Sequence, residues 1–224
     1  MKLTNAQEKV LSLLANSPLA NKFYWTGGTL LSYHYLHHRK SVDLDFFSEK
    51  PFSFNEINAF AQEIKKNIGF EKINYKKIFD RFEFIFENPE TLRVEFVYYN
   101  HDKKTIHKRN KLQGIYIDSL EDVAANKTLA YFDRVEPKDL FDIYFLLTQE
   151  QFTVNTLLEL ARQKFGLIFT ESTFWSEAFK TLPLLHTLKP LIESQNNQSE
   201  TKLLKIIEEY FKKESAKFLH KNFE

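Results

Sequence analysis

The chain has 224 residues, 43% hydrophobic and 27% charged, which predicts a folded protein of about one to two domains rather than a disordered one. It contains no cysteine, which excludes disulfides, a thiolate nucleophile and cysteine-ligated metal centres. The formal net charge of +1 gives no global sign of nucleic-acid binding, and only 5 glycines, against a usual share of about 7%, exclude collagen-like, linker and glycine-rich repeat architectures.

Residues 4–20 predict a helix, with Val10, Leu11, Leu13 and Leu14 at three-to-four spacing. The opening residues Met1 to Glu8 lack a signal-peptide pattern, and no window approaches the roughly 18 apolar residues of a membrane span. With no cysteine, a cytoplasmic location is expected. Phe23-Tyr24-Trp25-Thr26 predicts a short strand that runs into Gly27-Gly28, two of the five glycines side by side. A helix is expected from Thr29 to His37, then a strand over Val42–Phe47. That strand would set Asp43 and Asp45 on one face and Val42, Leu44 and Phe46 on the other. Ser53-Phe54-Asn55-Glu56 is a capping-box pattern for a helix over 54–68, closed by Gly69.

Strands are expected over 70–78, 81–87 and 91–99, the last two joined as a hairpin by Asn88-Pro89-Glu90. A stretch from Lys103 to Lys111 carries five basic residues in nine and reads as a solvated loop or a phosphate contact. Gly114 to Ile117 is a further short strand. The pattern then turns helical: 120–133 behind the Ser119/Asp122 cap, Pro137 to about 147, and later starts near Thr153, Ser172 and Ser199. Gly166 reads as a helix end. The net charge changes from +4 over residues 1–118 to −3 over 119–224, and the division into two domains is drawn there.

Chemistry concentrates in the first half. Trp25-Thr26-Gly27-Gly28-Thr29-Leu30-Leu31 has the form strand, glycine pair, hydroxyl residue, helix. Glycines let backbone approach an anion closely, the helix start offers unpaired N–H groups, and Thr29 adds a hydroxyl; the bland reading is an ordinary turn. Downstream, Asp43 and Asp45 stand at i and i+2 of a strand, their Cα atoms roughly 6–7 Å apart. Two carboxylates so placed can converge on Mg²⁺ ions that clamp an in-line phosphoryl displacement. Glu95, within Leu92-Arg93-Val94-Glu95-Phe96-Val97, supplies a third carboxylate if its strand lies beside the first; otherwise it is a strand position paired with Arg93 or a neighbour. Arg39, just ahead of the aspartates, is a phosphate-contact candidate. There is no P-loop and no Gly-x-Gly-x-x-Gly pattern.

In order, Gly27-Gly28-Thr29, then His38-Arg39-Lys40-Ser41-Val42-Asp43-Leu44-Asp45-Phe46-Phe47, then Glu95, resemble the AbiEii/AbiGii toxin family of nucleotidyltransferases, within the DNA polymerase β superfamily. Threonine stands where serine is more usual, and glutamate where the third acid is often aspartate. The resemblance continues through Asn126 to Arg134, similar to the family's helical lysine motif, and Lys138-Asp139-Leu140-Phe141-Asp142, similar to its Arg/Lys-Asp-x-x-Asp motif. It spans about residues 24–147.

The resemblance implies an α+β fold: a polymerase-β-like nucleotidyltransferase domain (1–118), a mixed sheet flanked by helices, followed by a helical bundle domain (119–224). It implies a Mg²⁺-dependent enzyme that moves an NMP from an NTP to an acceptor hydroxyl. Asp43, Asp45 and Glu95 would be the catalytic and metal residues. Gly27, Gly28, Thr29, Arg39, Lys127 and Asp139 would hold the nucleotide, Asp139 alternatively favouring its helix dipole and Asp142 pairing with Lys127, the nucleotide or Arg134. The role would be that of a toxin with a cognate antitoxin, acting on an RNA acceptor such as tRNA. Two rivals share the fold: a nucleotide-binding or protein-interaction module without turnover, and a small-molecule nucleotidyltransferase.

Overall fold

Helix α1 (Asn5–Ala15) starts at a reciprocal cap, in which the Gln7 N–H donates to Thr4 Oγ1 (3.2 Å) and the Thr4 N–H donates to Gln7 Oε1 (2.8 Å). The helix expected through residue 20 stops at Ala15. Pro18 has no N–H to continue it, and a separate 3₁₀ turn, Pro18–Asn21, follows. The computed structural model describes residues 2–99, 105–134, 136–192 and 197–223, so Lys103 and Lys104 of the basic stretch lie outside the described residues.

Seven strands form one mixed sheet: β1 (Tyr24–Thr26), β2 (Leu44–Ser48), β3 (Lys72–Ile78), β4 (Arg81–Glu87), β5 (Leu92–Tyr98), β6 (Asn110–Leu112) and β7 (Ile115–Ile117). Their order is β3-β4-β5-β2-β1-β7-β6. β1 runs antiparallel to β2 and parallel to β7, while β2 and β5 are parallel. A parallel pair needs a long crossover, here supplied by α3 (Phe54–Ile68), β3 and β4. The capping box at Ser53/Glu56 and the left-handed Gly69 (φ +90°) bound α3 as the sequence predicts.

The strand expected from Val42 starts at Leu44, and Val42 is 51% exposed instead of sharing the buried side of Leu44 and Phe46. The Asp43 carbonyl accepts the Thr29 hydroxyl, which holds this stretch by a side chain rather than by a strand neighbour. The buried face is aromatic. Phe96 is its hub, with ring centroids 5.1 Å from Phe23, 5.6 Å from Phe46 and 6.1 Å from both Phe60 and Phe84. After β1 the chain turns at Gly27 (φ +82°) into α2 (Gly27–Leu30), which continues as a π-helical stretch over Leu31–Leu36 and ends at a left-handed His37.

The second part is helical: α4 (Leu120–Asp133), α5 (Pro137–Thr148), α6 (Val154–Phe165), α7 (Glu171–Thr181), a 3₁₀ stretch over Leu182–Leu191, and α8 (Asn197–Phe223). Helix α7 starts behind Thr170 rather than at Ser172, because the Thr170 hydroxyl accepts the Thr173 N–H (3.1 Å). Pro183 and Pro190 keep the Leu182–Leu191 segment from forming a regular α-helix. Tyr131, Leu140, Phe141, Ile143, Phe174 and Phe211 are buried here, and the Tyr131 hydroxyl donates to the Phe174 carbonyl (2.6 Å).

The chain divides into two compact units: Met1–His37 with Ser41–Val123, and Ala124–Glu224 with the three residues His38–Lys40. The Lys40 N–H donates to the Leu191 carbonyl (2.6 Å), one bond that ties this short strap into the second unit. The boundary runs inside α4, the helix that opens where the sequence changes texture. Among the described residues no helix is long and apolar enough to cross a membrane.

Candidate active site

In the first unit, register brings the acids together. Asp45 on β2 is the pairing partner of Glu95 on β5, Glu95 pairs with Glu83 on β4, and Thr26 on β1 pairs with Asp45. Directly paired residues share a sheet face, so Thr26, Asp45, Glu95 and Glu83 form a row across four neighbouring strands, each about 4.8 Å from the next. The adjacency of Glu95 to the aspartates, which no pattern in the sequence reveals, is therefore present.

Gly27 packs directly on this row. A Cβ placed there would lie 2.0 Å from Asp45 Oδ2 and 2.7 Å from its Cγ. The close approach and the positive φ both require glycine. Gly28 stands beside it in the first turn of α2, where unpaired N–H groups collect. Thr29 is fully buried. Its hydroxyl donates to the Asp43 carbonyl and shares a hydrogen bond with Ser41 Oγ (2.9 Å), so it anchors the aspartate segment to the glycine turn.

Two arginines sit among the acids: Arg93, the partner that the alternative reading of Glu95 names, and Arg81, which the sequence reading does not single out. Arg93, two residues before Glu95 on the same face, bonds through Nη2 to the Asp43 carboxylate. Its Nη1 lies 3.3 Å from Glu83 Oε2 and 3.4 Å from Glu95 Oε1. Arg81 Nη1 lies 3.3 Å from Glu95 Oε2. Burial opposes the Arg93 charge, but Asp43, Glu95 and Asp45 outweigh it and hold the guanidinium protonated. Burial pushes the Glu95 carboxyl up; Arg81 and Arg93 pull it down without cancelling that rise, and Glu83 and Asp43 add to it. Glu83 and both arginines alternate with apolar residues in the sequence, which marks their face but not their register.

Among the described residues no three His, Asp or Glu side chains are already gathered as a metal cage. The donor chemistry nevertheless fits a hard divalent cation: Asp43, Asp45 and Glu95 offer only carboxylate oxygens. The cradle also already accommodates a cation, the Arg93 guanidinium, between Asp43, Glu83 and Glu95.

The other sequence-predicted residues belong to the second unit and cluster on two buried carboxylates. Asp142 accepts Arg39 Nε (2.7 Å) and Nη2 (2.8 Å), His38 Nε2 (2.6 Å) and Lys127 Nζ (2.8 Å). Asp139 accepts Lys127 Nζ (3.1 Å) and Arg134 Nε (2.8 Å). Arg39 thus has a bidentate protein partner, and Arg134 pairs with Asp139 rather than Asp142. Burial would raise both carboxyls; Arg39 and Lys127 at Asp142, and Lys127 and Arg134 at Asp139, hold them below the ordinary aspartate value, Asp142 well below. Burial likewise opposes the Lys127 charge and is outweighed by Asp142 and Asp139. His38 is pushed down by burial despite Asp142, which leaves it neutral near pH 7.

A family model described as nucleotidyl transferase AbiEii toxin, type IV toxin–antitoxin system, matches residues 9–221. The protein aq_aa25 of Aquifex aeolicus (strain VF5) is 25% identical over 232 residues, spanning 97% of this chain and 98% of that protein. Two crystal structures from Helicobacter pylori share the fold at 23% identity. One, a provisionally assigned nucleotidyltransferase, has a TM-score of 0.59 with coverage of 95% of this chain and 94% of that one. The other, JHP933, has a TM-score of 0.58 with coverage of 98% and 97%. The carboxylate row, the glycine turn and the match over nearly the whole chain place this protein in the AbiEii toxin family of nucleotidyltransferases, which carry out nucleotidyl transfer in type IV toxin–antitoxin systems.

Proposed function

We propose that the protein transfers an NMP from an NTP to an acceptor hydroxyl, with Asp43, Asp45 and Glu95 as the catalytic carboxylates. The observation that carries this reading is the Asp45–Glu95 register beneath Gly27. Gly27 and Gly28 present backbone N–H groups to the β- and γ-phosphates, and Thr29 holds the turn against the aspartate segment. The acceptor oxygen attacks the α-phosphorus, its bond to the β-phosphate oxygen breaks, and pyrophosphate leaves. A Glu95 carboxylate oxygen takes the acceptor proton, a role suited by the upward push that burial gives this group.

Asp43, Asp45 and Glu95 would hold Mg²⁺, which supplies charge neutralisation at the phosphoryl oxygens and activates the attacking hydroxyl. In the second unit, Lys127 is the cation assigned to the nucleotide's charge, oriented by Asp139; Arg39 acts through Asp142 to set that group. The acceptor is assigned to RNA, with tRNA as the class implied by the resemblance, and a cognate antitoxin restrains the activity in the cytoplasm.

The test is transfer of label from NTPs to total RNA in the presence of Mg²⁺. Asp43→Asn with Asp45→Asn should abolish it while leaving the unfolding curve cooperative. Transfer that persists in that variant refutes the assignment.

A further inference from the structure

Residues 41–43 carry Asp43 but precede Leu44, the first residue of β2, so the sheet pairing that fixes Asp45 does not reach Asp43. Side chains take the place of the ladder. The Thr29 hydroxyl donates to the Asp43 carbonyl. With its one proton committed there, the 2.9 Å contact between Thr29 Oγ1 and Ser41 Oγ is a bond that Ser41 donates. From α1, Gln7 Nε2 donates to the Ser41 carbonyl (3.1 Å). Arg93 bonds the Asp43 carboxylate, which restrains the side chain and leaves the backbone to Thr29, Ser41 and Gln7.

Gln7 is completely buried, and both ends of its amide are used: Oε1 accepts the Thr4 N–H (2.8 Å) in the α1 cap, and Nε2 reaches Ser41, 34 positions along the chain. The cap alone does not call for an amide. A capping box takes glutamate as readily as glutamine at this position, and glutamate adds a charge that the helix N-terminus favours. The same chain holds that version at α3, where Glu56 closes the box behind Ser53 and its side chain is 43% exposed. At α1 the equivalent side chain is buried against a carbonyl oxygen. A carboxylate there has no hydrogen to donate, whereas the amide nitrogen has two. Leaving the buried acceptor without its donor would be costly. The residue type at position 7 is therefore explained by Ser41 rather than by the helix.

We propose that Gln7 is a positioning residue for the transfer reaction. It acts through the Ser41 carbonyl to hold residues 41–43, and with them the Asp43 carboxylate, against the Thr29 anchor of the glycine turn. The catalytic half of this inference rests on the function proposed above, which gives Asp43 its role; the hold of Gln7 on the segment does not.

The test uses three variants of the full chain. Gln7→Met, of similar length, removes the donor. Gln7→Asn, one methylene shorter, keeps an amide that cannot reach both partners. Thr4→Ala, at an exposed residue, takes the threonine hydroxyl out of the cap and leaves the Gln7–Ser41 bond. Amide hydrogen exchange in the peptide containing residues 41–43 should speed up severalfold in both Gln7 variants and stay at the wild-type rate in Thr4→Ala. In the labelled-NTP assay, run well below each melting temperature, kcat should fall about tenfold in both Gln7 variants, less than the roughly 100-fold of a full 1 Å displacement. KM for the NTP should stay near the wild-type value, because Gly27, Gly28 and Lys127 are untouched. Thr4→Ala should lower the melting temperature and not kcat.

Wild-type exchange at residues 41–43 in both Gln7 variants, or wild-type kcat in both, overturns the proposal. So does a loss of kcat that Thr4→Ala reproduces at an equal loss of melting temperature. A wild-type protein that transfers no label refutes the proposed function, while the exchange difference still reports the hold of Gln7 on the segment.

Discussion

Gly27→Ala is the perturbation that separates the site from the scaffold most sharply. The added methyl would stand 2.0 Å from Asp45 Oδ2 and 2.9 Å from Asp45 Cβ, where ordinary contact begins near 3.4 Å. The carboxylate must therefore retreat by about 1 Å or more, and a displacement of that size at reacting groups costs about 100-fold in rate. The backbone adds its own penalty, since φ is +82° and a non-glycine residue in the left-handed region loses about 1–2 kcal/mol. With overpacking against Asp45, a total of about 2–3 kcal/mol is expected, or roughly 5–10 °C in melting temperature for a chain of this size. Gly69→Ala is the matched control. Its φ is +90°, but nothing lies within 4 Å of the new methyl, so only the backbone penalty of about 1 kcal/mol applies. Transfer rate and thermal unfolding measured on both variants decide the matter. If Gly27→Ala transfers at the wild-type rate, or is no less stable than Gly69→Ala, the coupling of the turn to Asp45 is wrong.

Asp142→Ala should cost about 3–5 kcal/mol in urea unfolding, because it leaves Arg39 and Lys127 buried without their shared anion and removes the bond to His38. Arg93→Gln removes the guanidinium from Asp43, Glu83 and Glu95, so the melting temperature should fall, and added Mg²⁺ should restore more of it than in the wild type. An equal Mg²⁺ effect on both proteins would count against a cation cradle at these carboxylates. Asp139 and Asp142 are held below their unfolded values, so their stabilisation is present above about pH 4 and is lost as pH falls through the lower folded values. Urea midpoints between pH 7 and pH 3 should show that acid loss, and Asp142→Asn should flatten it. Lys127 works in the other direction: its raised value contributes below about pH 10 and fades as pH rises through the folded value.

Much of the local structure was legible because its causes are local. The Ser53/Glu56 cap, Gly69, the period-two alternation of Leu92, Val94 and Phe96, and Pro137 each act within a few residues, and α3, β5 and α5 form where they indicate. The Gly27-Gly28-Thr29 and Asp43/Asp45 segments were recognisable for the same reason. Misreadings arose where a proline intervened, as at Pro18, or a bond from farther along the chain, as at Val42, where the Thr29 hydroxyl holds the Asp43 carbonyl; at α7 the misreading was of a local signal, since Thr170 and not Ser172 supplies the cap.

What only the tertiary structure decided is register and partnership. The sequence by itself determined a strand bearing Glu95 with apolar neighbours. The parallel pairing of β2 with β5, made by hydrogen bonds between residues 50 positions apart, decided that Glu95 stands beside Asp45 and that Glu83 extends the row. Composition likewise marked five glycines, while the Asp45 carboxylate 2.0 Å from a notional Cβ shows why Gly27 must be one. Nor could any short-range pattern tell that Arg39 would meet Asp142, or that Arg93 would meet Asp43. Charges find their partners only once packing has removed the water that otherwise satisfies each of them alone.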